Sequence, residues 1–187
     1  MQALDVTFDR PTEDRVRAEW AALRDAGLPS LARHTAPSNR PHLTLDSREV
    51  VTAEAEGALR VVASLLPVAV RVGTVLLFRA RQRWVLARHV VVDRPLLELH
   101  ETAQAVLGPG GSPLTEPGRW VPHLTLARGV TDDQLPRALE VVSTAQPFTA
   151  TARRLRRWDE PASRAWDVEP NGPDAGTSAQ SSVGRSL

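Results

Sequence analysis

One pentapeptide, Pro-His-Leu-Thr-Leu, occurs twice in this chain, at residues 41–45 and again at residues 122–126. In both copies polar and apolar residues alternate, which is typical of a β-strand with one polar and one packed face. Repetition of five consecutive residues within a chain of 187 indicates duplication or a shared constraint. The repeat therefore predicts a fold built from two related halves, each with the same strand in the same place.

The hydrophobic periodicity around the two copies predicts the element order β-α-β-α-β-β-α-β-α-β-β. The first helix is expected to have Thr12 as its N-cap and Trp20 on its apolar face. A later helix is expected to have Asp93 as its N-cap and Gly108 just past its end. Each copy of the pentapeptide then lies on a strand that follows one helix and precedes another.

The boundaries of the folded part follow from composition. Residues 1–169 carry the predicted elements and form one domain of two interleaved lobes. Residues 170–187 have almost no apolar side chains to bury, so we expect a disordered C-terminal tail there.

Composition also narrows the classes of protein to which the chain can belong. With no cysteine, it forms neither disulfides nor thiolate zinc sites. No apolar run approaches the roughly 20 residues that span a bilayer, and the first residues do not resemble a secretory leader. We therefore expect a cytoplasmic protein without membrane attachment, and a monomer.

The histidine and threonine of each copy form a pattern with chemical meaning. On a strand, residues two apart share a face, roughly 6.5–7 Å from each other along the backbone. If the two halves pair about a pseudo-two-fold axis, His42, Thr44, His123 and Thr125 converge on one cleft. One neutral imidazole can then accept a proton while the other, as imidazolium, donates one. The hydroxyls can donate hydrogen bonds to phosphate oxygens, and this chemistry requires neither a metal ion nor a cofactor.

The paired His-Leu-Thr-Leu motifs resemble those of the two-histidine phosphoesterase superfamily, which includes the 2'-5' RNA ligase-like and RNA 2',3'-cyclic phosphodiesterase proteins. The resemblance spans residues 3–169. It implies an α+β, bilobal, pseudo-two-fold duplicated fold, with two antiparallel sheets lining a central cleft and helices on the outside. The second copy matches the family pattern through Arg128, whereas the first continues with Asp46 and Ser47.

The resemblance also implies an activity. His42 and His123 would be the catalytic acid–base pair, and Thr44 and Thr125 the phosphate-binding residues. The reaction expected is metal-independent opening of 2',3'-cyclic phosphates, either at RNA 3' ends or in small cyclic nucleotides. The net charge of +1 favours such short substrates over long duplexes.

Three further residues are candidate substrate contacts: Arg128, Trp120 and Arg40. Arg128 lies on the second motif strand, but alternation places it out of phase with His123 and Thr125 unless the strand ends or twists there. Trp120 is as well suited to packing as to stacking on a nucleobase.

Alternative interpretations stay open from sequence alone. The motif histidines could be structural strand residues, as we expect for His89 and His100, and His34 is expected in a solvated loop. The fold could also serve as a non-catalytic module that binds an RNA end or a nucleotide phosphate. A hydrolase of a non-RNA cyclic phosphate would use the same residues.

Overall fold

The computed structural model describes residues 1–143 and 146–171. Within these residues, four helices and seven strands occur in the predicted order, with one additional short 3-10 turn. The elements are β1 (Gln2–Phe8), α1 (Arg10–Asp25), β2 (His42–Arg48), α2 (Ala53–Ala63), β3 (Val68–Ala80), β4 (Arg83–Val91), α3 (Arg94–Leu107), β5 (His123–Val130), α4 (Leu135–Ser143), β6 (Phe148–Asp159) and β7 (Arg164–Val168).

The helix ends show where local sequence signals succeed. Asp93 caps α3 by accepting from the Leu96 N–H, and Gly108 follows its last residue, as predicted. The prediction for α1 was wrong: the cap is Asp9, whose side chain accepts from the N–H of Thr12. Both residues are good caps, and Pro11 fits the first helical turn because it has no N–H to satisfy.

All seven strands join one antiparallel sheet with the order β2-β1-β6-β3-β4-β5, and β7 pairs with β6. The predicted α+β fold class is confirmed, although the two expected sheets are continuous. Strand β6 makes the sheet continuous. One of its edges pairs with β1, and the other pairs with β3 over residues 148–152 and with β7 over residues 155–159. Past Val72, β3 diverges from β6 and continues only with β4.

The duplication is visible in the connectivity. The unit β1-α1-β2-α2-β3 repeats as β4-α3-β5-α4-β6, and the last strands of the two units pair with each other. Helix α1 packs against β5 and α3 packs against β2, so each helix supports the motif strand of the other half. Their apolar faces, which include Val16, Trp20, Leu96 and Leu99, form the core beneath the sheet.

Two remaining sequence predictions concern the chain outside this core. Apart from residues 170 and 171, the predicted tail lies outside the described residues. In the described part of the chain, no helix has both the length and the apolar character needed to cross a bilayer.

Candidate functional site

The two motif strands are the outermost strands of the sheet, yet they lie beside each other. In the strand order, β2 and β5 stand at opposite ends, and the curvature of the sheet brings them into contact. His42 and His123 are the first residues of these strands. Both histidines line a single open cleft of about 650 Å³.

Each motif strand contains a β-bulge at the last leucine of the pentapeptide. In β2 the register skips Leu45, and in β5 it skips Leu126. An extra residue reverses the phase of the side chains that follow it. Ser47 and Arg128 therefore share the face of the motif histidines, and both line the cleft. Strict alternation would have placed Arg128 out of phase with His123, and the bulge at Leu126 is the irregularity that removes this objection.

The two imidazoles are anchored in the same way. Nδ1 of His42 donates to the carbonyl of Arg40 at 2.7 Å, and Nδ1 of His123 donates to the carbonyl of Val121 at 2.8 Å. A carbonyl oxygen can only accept, so Nδ1 carries the hydrogen in both rings. In the neutral form, Nε2 of each ring then keeps a free lone pair. This is the tautomer that a proton-accepting imidazole requires.

The surroundings of His123 favour its neutral form. Burial lowers the pKa of the His123 imidazole below its ordinary value, more than the hydrogen bond to Val121 raises it. The positive charges of Arg128 and His42 lower this pKa further. The Phe78 ring, 4.7 Å from the imidazole, supplies part of the burial. His123 is therefore suited to accept a proton near neutral pH.

The two motif threonines differ in their relation to the cleft. Thr44 lines the cleft, whereas Thr125 is buried, with 8% of its surface exposed, and is not among the lining residues. Each threonine carbonyl accepts an indole N–H from the opposite half of the fold. Trp120 donates to Thr44 at 2.9 Å, and Trp20 donates to Thr125 at 3.0 Å. These two bonds satisfy carbonyls of the motif strands and fix the spacing between the halves.

Two of the three candidate substrate contacts line the cleft. Arg128 is exposed there and forms no ion pair with any described residue. Trp120 also lines the cleft, but one face of its indole is stacked on His100 at 3.9 Å. Arg40 lies in a neighbouring pocket, where its guanidinium pairs with Glu13 at 2.6 Å. Arg40 therefore contacts His42 through its backbone carbonyl and not through its guanidinium.

The other histidines occupy varied positions. His100 is buried and bonds to the Thr115 carbonyl at 2.8 Å, in agreement with a structural role. His89 is half-buried on β4, directly opposite His123 in the register. His34 lies in an exposed loop, as expected, and this loop forms part of the cleft wall. Within residues 1–143 and 146–171, no three His, Asp or Glu side chains converge as a metal site would require.

Sequence reasoning missed the floor of the cleft beneath Thr44. Asp5, which is 2% exposed, accepts the Thr44 hydroxyl at 2.8 Å and an Arg156 N–H at 3.0 Å. Trp158, two residues beyond Arg156 on β6, lines the same cleft. One signal was available: Asp5 and Thr7 alternate with apolar residues on β1, which marks a polar face on an interior strand.

Comparison with known proteins identifies relatives. A family model described as the 2'-5' RNA ligase superfamily matches residues 12–163. The solved structure of Kluyveromyces marxianus Usb1 is 12% identical with a TM-score of 0.50, covering 90% of this chain and 97% of that chain. The apo crystal structure of E. coli LigT is 15% identical with a TM-score of 0.53, covering 90% and 94%. A search of curated proteins finds no match.

The structural neighbours show that the fold is shared, and the family match covers most of the chain, including both motifs. The resemblance seen in the sequence is thereby confirmed. The chain belongs to the 2'-5' RNA ligase superfamily, among the two-histidine phosphoesterases.

Proposed function

We propose that this protein opens 2',3'-cyclic phosphates of RNA ends or nucleotides to monoesters, without a metal ion. The observation that carries the proposal is the matched anchoring of His42 and His123 in one cleft. Both rings hold their hydrogen at Nδ1 and keep Nε2 for the substrate. Two such groups supply both proton transfers that hydrolysis of a phosphodiester needs.

The steps assign different roles to the two rings. Neutral His123 takes a proton from water as the water oxygen forms a bond to phosphorus. Protonated His42 gives its proton to the ribose oxygen as the bond from that oxygen to phosphorus breaks. The product is a phosphate monoester beside a free ribose hydroxyl. His123 then releases its gained proton to solvent, and His42 takes one up from solvent, which restores the starting state. The lowered pKa of His123 supports its assignment as the base.

The size and lining of the cleft support a substrate of nucleotide size. Its volume of about 650 Å³ lies within the usual range for small-ligand sites. A smaller pocket of about 290 Å³ adjoins it at His123 and is lined in part by Phe78, Val85 and Leu114. This apolar surface suits a nucleobase, while the unpaired Arg128 suits the phosphate. We expect the cytoplasm to be its location.

The test of this proposal is incubation with the four nucleoside 2',3'-cyclic phosphates in the presence of a chelator. We expect phosphorus NMR to show conversion of the cyclic phosphate signal into a monoester signal, at a rate that the chelator leaves unchanged. A cyclic nucleotide that binds but is unchanged after long incubation would instead indicate the non-catalytic binding module. Turnover only of cyclic phosphates without a ribonucleoside 2',3'-ring would indicate the non-RNA hydrolase.

The pKa of His123 gives a second prediction. Phe78→Ala exposes the ring to water, and since burial is what chiefly lowers this pKa, we expect the pKa to rise towards its ordinary value near 6.5. The neutral fraction at mildly acidic pH then falls, and the acidic limb of the pH–rate profile moves to higher pH. Titration of the His123 ring proton by NMR measures the shift directly. An unchanged midpoint in this variant would contradict the role of burial.

A further inference from the structure

One tryptophan in the cleft has no partner for its ring. The other four of the five tryptophans each donate the indole N–H to a carbonyl or a carboxylate and stack on a histidine or an arginine: Trp20, Trp84, Trp120 and Trp166. Trp158 does neither with any described residue, and its N–H is open to solvent. It is nevertheless half-buried on β6 and lines the cleft. A large ring held there without a protein partner suits a planar ligand.

Small side chains flank Trp158 across the sheet. In the register, Ala3 lies opposite Trp158 on β1, and Ala165 lies opposite it on β7. Ala3 lines the same cleft, and Ala165 lines the pocket beside it. Residues directly opposite each other share a face of the sheet, so larger side chains at these two positions would cover the indole. The two alanines therefore leave room for a flat group against the ring.

The duplicated fold has a second aromatic ring at the matching position of its other half. The two corresponding rows across the strands are Ser47, Ala3 and Trp158 in the first half and Arg128, Val85 and Phe78 in the second. Phe78 contacts His123 and lines the smaller pocket that suits a nucleobase. Trp158 has no such histidine contact within the part of the chain that the structure describes. Each half thus has one aromatic ring beside the cleft, and that of the first half is free.

The proposed steps place the RNA chain on the side of Trp158. His42 gives its proton to the ribose oxygen, so the ribose lies on the β2 side of the phosphorus. The chain continues from that ribose through its 5' carbon, and the preceding nucleotide can then lie over β1 and β6. A pocket of about 580 Å³ continues the cleft in this direction, with Ser38 and Arg156 as shared walls. Arg164 lines this pocket without an ion pair to any described residue, so its charge suits a backbone phosphate.

We propose that Trp158 binds the second nucleobase of an RNA 3' end, the base that precedes the nucleotide with the cyclic phosphate. This base stacks on the indole, in the space beside Ala3 and Ala165. The inference rests on the proposed function for its kinetic part, and it makes a short RNA end a better substrate than a mononucleotide. Every nucleobase has a face that can stack, so we expect little preference for the identity of this base.

The test compares adenosine 2',3'-cyclic phosphate with the dinucleotide ApA that ends in the same cyclic phosphate. We expect kcat/KM of the wild-type protein to be about tenfold higher for the dinucleotide, a usual contribution of one base stacked on an aromatic side chain. Trp158→Leu keeps apolar bulk without the aromatic face, so this advantage should disappear while kcat/KM for the mononucleotide is unchanged. Trp158→Phe should retain most of the advantage. An equal loss with both substrates, or a full advantage in Trp158→Leu, would overturn the proposal.

Two controls separate the base from the backbone. A dinucleotide with the same sugars and phosphates but without the first base should lack most of the advantage in the wild-type protein and should be unaffected by Trp158→Leu. Trp84→Leu removes a tryptophan that donates to Asp132 and does not line the cleft, so it should leave the advantage unchanged. A full advantage for the abasic dinucleotide would contradict stacking, and this ligand decides if Trp158→Leu does not fold.

Binding of the products tests the same site without turnover. Calorimetry should show that the wild-type protein binds ApA 3'-phosphate about tenfold more tightly than adenosine 3'-phosphate. The two affinities should be nearly equal in Trp158→Leu. Equal affinities in the wild-type protein would overturn the proposal. If the protein opens neither cyclic phosphate, the proposed function fails, while these affinities still decide whether Trp158 binds a base.

Discussion

Alanine at His42 or at His123 will lower kcat/KM for a 2',3'-cyclic nucleotide by roughly 10²- to 10⁴-fold, the usual contribution of a positioned general acid or base. Each substitution removes one of the two proton transfers, and no other described histidine in the cleft has the same Nδ1 anchoring. Initial rates over a range of substrate concentrations measure the loss. Since the two rings act on one transition state, the double variant should lose less than the product of the single losses.

Two controls separate proton transfer from folding. His42→Asn can keep a donor near the Arg40 carbonyl but cannot exchange a proton at neutral pH, so it should be as inactive as alanine. His89→Ala, on the strand beside His123, should keep activity within about threefold because that ring has no part in the proposed chemistry. Full activity in either alanine variant at His42 or His123 would remove the acid–base assignment.

Arg88→Met will lower the free energy of unfolding by about 3–5 kcal/mol, the usual cost of leaving one member of a buried ion pair alone. Arg88 and Glu19 are both buried, with Nε of the arginine 2.8 Å from the carboxylate. The same guanidinium donates to the Val142 carbonyl at 2.6 Å. One side chain thus ties β4 to α1 and α4, and chemical denaturation measures the loss.

The matched control replaces both members of the pair. In Glu19→Gln/Arg88→Met no buried charge remains, so we expect most of the stability to return. Nearly equal stability of the single and double variants would contradict this account.

The loss of stability caused by Arg88→Met should also change with pH in a defined direction. Burial already raises the pKa of Glu19, and Arg88 opposes that rise, so its removal raises the pKa further. A carboxyl whose pKa is higher in the folded state than in the unfolded state favours folding at low pH, and this contribution is lost as the pH rises through the folded pKa. The destabilisation should therefore be smaller near pH 4 than near pH 7, and denaturation at several pH values measures it.

Local sequence signals were sufficient to predict the order of the helices and strands and to select the motif residues as candidates. These signals each depend on only a few neighbouring residues: the caps at Asp93 and Gly108, the apolar periodicity and the repeated pentapeptide. The structure contains the caps and the elements that they predict. The wrong cap at Thr12 has the same local origin, because two suitable residues stand three positions apart and only the packed helix selects Asp9.

Contacts between distant strands decided the rest. The bulges at Leu45 and Leu126 depend on strand pairing, and the bulge at Leu126 brings Arg128 onto the face of His123. Pairing of β3 with β6 joined two expected sheets into one. The Asp5–Arg156 pair joins residues from the two ends of the chain. From the repeated pentapeptide alone, the two histidines are expected to have the same chemistry. The two halves differ only through the residues that lie across the sheet from each motif, because charge, burial and hydrogen-bond partners depend on the folded surroundings.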